Sequence, residues 1–181
     1  MILFIHEGKV HAEQRDALLR RALFEYAFAN GLEIDSEKAE IRETEKGKPY
    51  FENIPVRFSI SHSGQMWICL MADFEVGADI QEETDVKAPD IAGRFFTENE
   101  ADYINFLGAD AFFDVWVRKE AYIKYTGNGL GEGLSSFSVI ENGRLKSELN
   151  GTFFTGVDMG PGIRCALCTA KKEEYTLENL E

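Results

Sequence analysis

The sequence predicts an α+β fold of two similar α/β lobes related by a pseudo-twofold. Each lobe packs antiparallel strands with a long helix, and the functional site lies in the cleft between them. Three observations support this. Residues 11–30 and 109–125 carry apolar side chains at helical spacing. Residues 57–63, RFSISHS, alternate strictly, as a half-buried strand does. The order helix-then-strands occurs twice about a seam at residues 73–76, which is the pattern of an α+β chain rather than of alternating βαβ units.

The elements follow in order. MILFIHEGK has a short apolar run without a basic leader, so it reads as a first strand and not as a signal peptide. In residues 11–30, Ala17, Leu18, Leu19, Ala22, Leu23, Tyr26 and Ala27 form one stripe, and Asn30-Gly31 stops the helix. Residues 39–43 suggest a short strand, and EKGKP (45–49) a turn, because Pro49 cannot continue a helix. In 57–63, Phe58, Ile60 and His62 face one way and the three serines the other. Gly64-Gln65 turns the chain into strands at 66–72 and 76–80, and 82–89 is a charged loop. Residues 91–96 read as a short helix. Thr97 with Glu100 is a capping box for a helix ending at Gly108. A long helix then runs from 109 or 110 to 125 and closes at Gly127. Strands are expected at 136–140, 144–148, 152–158 and 163–170, and residues from 171 read as a loose polar tail.

A net charge of −13, from 19 Lys+Arg against 32 Asp+Glu, excludes a general nucleic-acid binder, which needs a basic surface. It also requires any site for a polyanion to be locally basic or bridged by metal. No apolar run is long enough to span a bilayer. Cys69, Cys165 and Cys168 are read as reduced, buried thiols of a cytoplasmic protein, because the CxxC pair has no second Cys or His pair to complete a zinc site.

The residues with chemical potential gather in two places. Asp79 ends a strand two residues after Gly77, and Gln81 leaves the same face. The later helix offers Trp116, Lys119, Glu120 and Lys124 at three- and four-residue steps. Glu120 and Lys124 alone suit an ordinary exposed ion pair worth about 0.2–0.5 kcal/mol, and Asp79 alone a strand-end turn. With Trp116 on the stripe and the glycine run 127–131 behind it, they also suit a site where two carboxylates hold Mg²⁺, with Gln81 giving an amide oxygen or holding a metal-bound water. His62, Lys48 and Arg15 are read by themselves as a strand-end histidine, a turn lysine and a surface charge. No GxxxxGK[ST], GxGxxG-to-helix, HExxH or GxSxG motif is present.

The ordered set GKP (47–49), FSISHSG (58–64), VGADIQ (76–81), RFFTENE (94–100) and WVRKEAYIKYTGNGL (116–130) resembles the 4′-phosphopantetheinyl transferase superfamily. The upstream GKP and SHS elements make it similar to the single-chain surfactin-synthetase type. The resemblance implies Mg²⁺-dependent transfer of the phosphopantetheine arm of coenzyme A to a serine of an apo acyl or peptidyl carrier protein, releasing 3′,5′-ADP, by a monomer that uses neither nucleic acid nor membrane. It implies Asp79, Gln81 and Glu120 at the metal, with Glu120 taking the serine proton. Lys124 stabilises the pyrophosphate, and Lys119, Lys48, Ser61, His62 and Arg15 hold coenzyme A. Residues 1–75 become a coenzyme A-contacting lobe, 76–170 a metal and catalytic lobe, and 171–181 a polar tail. Arg94, Phe95 and Phe96 are candidates for carrier contact. Gln81 departs from the family's usual acid at that position, which implies weaker metal binding. Fewer residues precede the first helix than the family carries, and Arg15 is the candidate for part of that grip. The rival readings are a non-catalytic member that binds coenzyme A or carrier protein, and a metal-dependent nucleotide hydrolase.

Overall fold

The computed structural model describes residues 1–129 and 133–180. It is an α+β chain whose main layers run helix, sheet, sheet, helices. The first sheet contains β1 (Ile2–Glu7), β4 (Arg57–Ser63), β5 (Met66–Ala72) and β12 (Thr176–Asn179), in the order β12-β1-β5-β4. The second contains β6 (Val76–Glu82), β9 (Glu148–Leu149), β10 (Thr152–Asp158) and β11 (Ile163–Thr169), in the order β6-β11-β10-β9, antiparallel throughout. Two small ladders pair β2 (Ile41–Glu43) with β3 (Pro49–Phe51) and β7 (Ile140–Glu141) with β8 (Arg144–Leu145).

Alternation along β1 explains the layering. Ile2 and Phe4 turn toward α1 (Arg15–Ala29), where Leu19, Ala22, Leu23 and Tyr26 cover them. Leu3 and Ile5 turn the other way, into a core shared with Val76, Ala78, Ile80 and Leu167 of the second sheet. The far face of the second sheet packs Ala166 and Cys168 under α2 (Ala88–Phe95), α3 (Glu98–Leu107) and α4 (Ala109–Thr126). Cys165 and Cys168 therefore lie in different cores, and burial pushes both thiols up to about 12. All three cysteines are free and buried.

β4 and β6 belong to different sheets, yet the serine face of β4 ties them together. The Ala78 amide donates to Ser59 Oγ at 2.9 Å, Ser61 Oγ donates to Asp79 Oδ1 at 2.7 Å, and the Glu82 amide donates to Ser63 Oγ at 2.8 Å. The polar half of RFSISHS is thus a seam rather than a solvated face. Gly77 lets α4 settle onto β6: a Cβ there would lie 2.1 Å from the Ala121 carbonyl oxygen and 2.4 Å from the Tyr125 nitrogen. The close approach is by the helix backbone. Gly77→Ala is expected to cost about 1–3 kcal/mol by overpacking, read as a lowered Tm, and to shift Glu120 against Asp79. An unchanged Tm contradicts it.

Three expectations are corrected. Residues 136–140 are not a strand: Leu134–Ser136 form a 3₁₀ turn, and the chain is irregular until β7. The strand expected at 144–148 divides into β8 and the start of β9. The tail is not loose. β12 pairs in parallel with β1, and Leu180 behind it is buried in the first core, its amide donating to the Ile5 carbonyl at 2.7 Å. All four β12 side chains are exposed, so no alternation betrays the strand, and backbone bonds plus one buried leucine hold it. Among the described residues, no helix is long and apolar enough to cross a membrane.

Candidate active site

Asp79 and α4 build the site together. Register puts Asp79 opposite Ala166 of β11, and its side chain points toward β4. One carboxylate oxygen, Oδ1, accepts from Ser61 Oγ and from Lys124 Nζ, each at 2.7 Å. On α4, Trp116, Glu120 and Lys124 stand four residues apart and share one face. They line a cavity of about 410 Å³ with Asp79, Gln81, Ser61, His62, Arg15, Ile60 and Trp67. Gly127, left-handed at φ 68°, closes α4 one turn beyond Lys124.

Burial raises the Glu120 carboxyl above its ordinary value, the neighbouring Asp79 charge raises it further, and Lys124 pulls it back. A carboxyl held above its unfolded value stabilises the fold fully below the unfolded value, and that contribution is lost as pH rises through the folded one. Stability from this group therefore falls on moving from acid toward neutral pH. A pH series of Tm on the wild type and Glu120→Gln should show the variant gaining on the wild type as pH rises from about 4. Parallel curves contradict this.

Basic groups stand on the β4 side. An Arg15 guanidinium nitrogen lies 2.9 Å from His62 Nε2, and because arginine only donates, Nε2 is the acceptor. Arg15 and Lys124 thus place two cations on the cavity wall alongside the carboxylates of Asp79 and Glu120, in a chain of net charge −13.

Among the described residues, no group of three or more His, Cys, Asp or Glu side chains forms a metal cluster. The donors still suit a hard cation. Asp79 and Glu120 face one cavity and bring two carboxylates to it, near enough for the Asp79 charge to act on Glu120. Gln81 lines the cavity while its Nε2 donates to the Glu82 carbonyl, which leaves its oxygen as the acceptor. Mg²⁺ commonly takes one or two carboxylates and completes its shell with water and phosphate. Glu82 does not line the cavity; its carboxylate occupies the space beside Gly64.

One lysine is not where the sequence reading puts it, and a second stands beside the main cavity rather than in it. Lys119 is fully buried and cannot touch a ligand in the cavity: Nζ donates to both Glu100 oxygens at 2.8 Å and to the Phe137 carbonyl at 2.6 Å. Its desolvation lowers the ammonium pKa, and Glu100 opposes that. The signal that would have found it is the apolar stripe Phe112, Val115, Tyr122, into which Lys119 falls at helical spacing. Lys48 lines a neighbouring cavity of about 190 Å³ that shares Ile60 and Lys124 with the first. Its ammonium is paired with Glu75 and donates to the Tyr125 carbonyl at 2.8 Å. Ser61 acts on Asp79, a partner not evident from its motif.

On the other side of Glu120 lies an apolar groove of about 580 Å³, lined by Val86, Ile91, Phe95, Phe112, Phe113 and Leu134 and meeting Gln81, Trp116 and Glu120. Phe95 is half-exposed beneath Arg94, whereas Phe96 is buried, stacked 5.7 Å from Phe112, and cannot contact a partner. Of the glycine run 127–131, Leu130 and Gly131 lie outside the described residues, as do Glu132 and Glu181.

Comparison with known proteins places the chain among relatives of one kind. The profile of the 4′-phosphopantetheinyl transferase superfamily matches residues 75–172, a span that includes Asp79, Gln81, Glu120 and Lys124. The chain is 31% identical over 194 residues to 4′-phosphopantetheinyl transferase Sfp of Bacillus subtilis (strain 168), covering 98% of this chain and 84% of Sfp. It is 33% identical over 186 residues to 4′-phosphopantetheinyl transferase ffp of Bacillus subtilis, covering 94% and 79%. To 4′-phosphopantetheinyl transferase psf-1 of Bacillus pumilus it is 36% identical over 160 residues, covering 77% and 67%.

Proposed function

Since the chain belongs to the 4′-phosphopantetheinyl transferase superfamily, we propose that it moves the 4′-phosphopantetheine arm of coenzyme A onto a serine hydroxyl of an apo acyl or peptidyl carrier protein. The observation that carries this is the position of Glu120 where a polar cavity bearing Arg15, His62 and Lys124 meets an apolar groove. A polyanionic donor suits the cavity, with Arg15, His62 and Lys124 on its walls, and a protein surface suits the groove. Residues 1–75 then contribute most of the donor contacts, and residues 76–170 the carboxylates and Lys124.

The carrier serine enters from the groove, and Glu120, a base strengthened by its burial, accepts the hydroxyl proton directly or through water. The serine oxygen bonds to the phosphorus that carries pantetheine. The bond from that phosphorus to the bridging oxygen breaks, and 3′,5′-ADP leaves with the electron pair. Lys124 offsets charge on the pyrophosphate, which requires it to loosen from Asp79. Ser61 keeps Asp79 oriented meanwhile. Asp79 and Glu120, with the Gln81 oxygen or a water, are the residues to hold Mg²⁺, whose chemistry is neutralisation of phosphate charge. Lys48 contacts the donor from the smaller cavity. We read the protein as a cytoplasmic monomer.

The test is intact-mass spectrometry of an apo carrier protein incubated with this protein, coenzyme A and Mg²⁺. Gain of one phosphopantetheine arm, abolished by EDTA and by Glu120→Ala, is the expected result. Coenzyme A binding without gain on several carriers favours the non-catalytic reading, which the neutral Gln81 motivates. Phosphopantetheine released to water without carrier favours the hydrolase.

A further inference from the structure

We infer that the buried pair Lys119–Glu100 is a positioning device for the wall of the apolar groove, and so sets the fit of the carrier protein; this rests on the reading above. Both side chains are 0% exposed. Glu100 accepts two bonds from Lys119, one from the Val139 amide at 2.8 Å, and two from Thr97, from Oγ1 at 2.7 Å and from the amide at 3.1 Å. Lys119 spends its third proton on the Phe137 carbonyl, beneath the Phe137 ring at 4.2 Å. Every donor of the ammonium and both carboxylate oxygens are engaged.

Apolar residues of similar volume would often hold such a place as well or better, so cohesion is a weak account of a buried ion pair. What this pair does that apolar side chains cannot is fix backbone groups by direction. It grips the segment 137–139 from both sides, through a carbonyl and an amide. Asn99 and Ser138 extend the grip, Asn99 Nδ2 donating to the Ile140 carbonyl and Ser138 Oγ to Asn99 Oδ1, each at 3.1 Å. The segment directly follows the turn bearing Leu134, which forms one wall of the groove. Lys119 itself precedes Glu120 on α4, the helix that supplies Trp116, Phe112 and Phe113 to the groove. One buried ion pair thus fixes the distance between the Leu134 wall and the helix bearing the proposed base. Neither residue lines the donor cavity.

Glu100→Gln is the test, because it keeps the size and one acceptor oxygen but removes the charge that draws Lys119 and Val139 together. The expected result is a KM for apo carrier protein raised about tenfold with kcat and the KM for coenzyme A within about twofold of wild type. Amide hydrogen exchange should quicken over residues 134–140 well beyond the increase in β4 and β6, which follows the loss of global stability. Equal rises in both KM values, unchanged values for both, or an exchange increase no larger over residues 134–140 than in β4 and β6 overturn the inference. A wild-type protein without transfer on any carrier removes the parent reading instead, and the exchange measurement then still decides whether the pair holds the wall.

Discussion

Glu120→Gln is expected to slow transfer by about 10²–10⁴-fold, the usual contribution of a positioned base, while raising Tm at neutral pH. The two effects have one origin. Glu120 is held in a partly desolvated place beside Asp79, with Lys124 as the opposing charge, so its carboxylate is costly to the fold. The same crowding gives the carboxylate its appetite for a proton. An amide of the same shape relieves the repulsion and accepts no proton. Steady-state rates with a carrier that the wild type modifies, together with Tm in matched buffer, check both halves. Added Mg²⁺ should lift the Tm of the wild type more than that of the variant. A variant that is both slow and less stable would point to collapse of the site rather than loss of a base.

Lys119→Ala is expected to destabilise the protein by about 3–5 kcal/mol, because it strands a carboxylate in a dry core, which corresponds to a Tm lowered by about 6–20 °C for a chain of this size. Glu100 keeps its bonds from Thr97 and Val139 but loses its cation. Lys124→Ala removes the same formal charge one turn along α4, from a partly exposed position, and should cost far less stability. Chemical denaturation of the two variants side by side separates a structural lysine from a functional one. Equal losses would contradict the assignment.

The contrast between these two lysines shows what the sequence discloses and what it withholds. β4 and α4 were legible because alternation and helical spacing are local. The stripe Trp116, Glu120, Lys124 was legible for the same reason, and with it the face that meets Asp79. The resemblance assigns Lys119 to coenzyme A, whereas its partner Glu100 has a sufficient local role in the capping box of α3 and so points nowhere else. Only the packing of α3 on α4 reveals that the same carboxylate also serves the core. The role of the serine face of β4 is hidden for a like reason: a neighbouring strand from another sheet supplies its partners. β12 gave no local pattern at all, since its four side chains all face solvent.

The pairing of β12 with β1 also has a consequence for biosynthesis. The two strands match Ile2 with Thr176 and Ile5 with Asn179, so the outer edge of β1 finds its neighbour only after the other described strands and helices have been made. The second sheet, closed by residue 169, can assemble while the edge of the first is still bare. A bare edge is a template for other chains. A nascent polypeptide halted before residue 176 therefore presents the outer edge of β1 bare, and residues 176–179 serve to cover that flank from within the same chain.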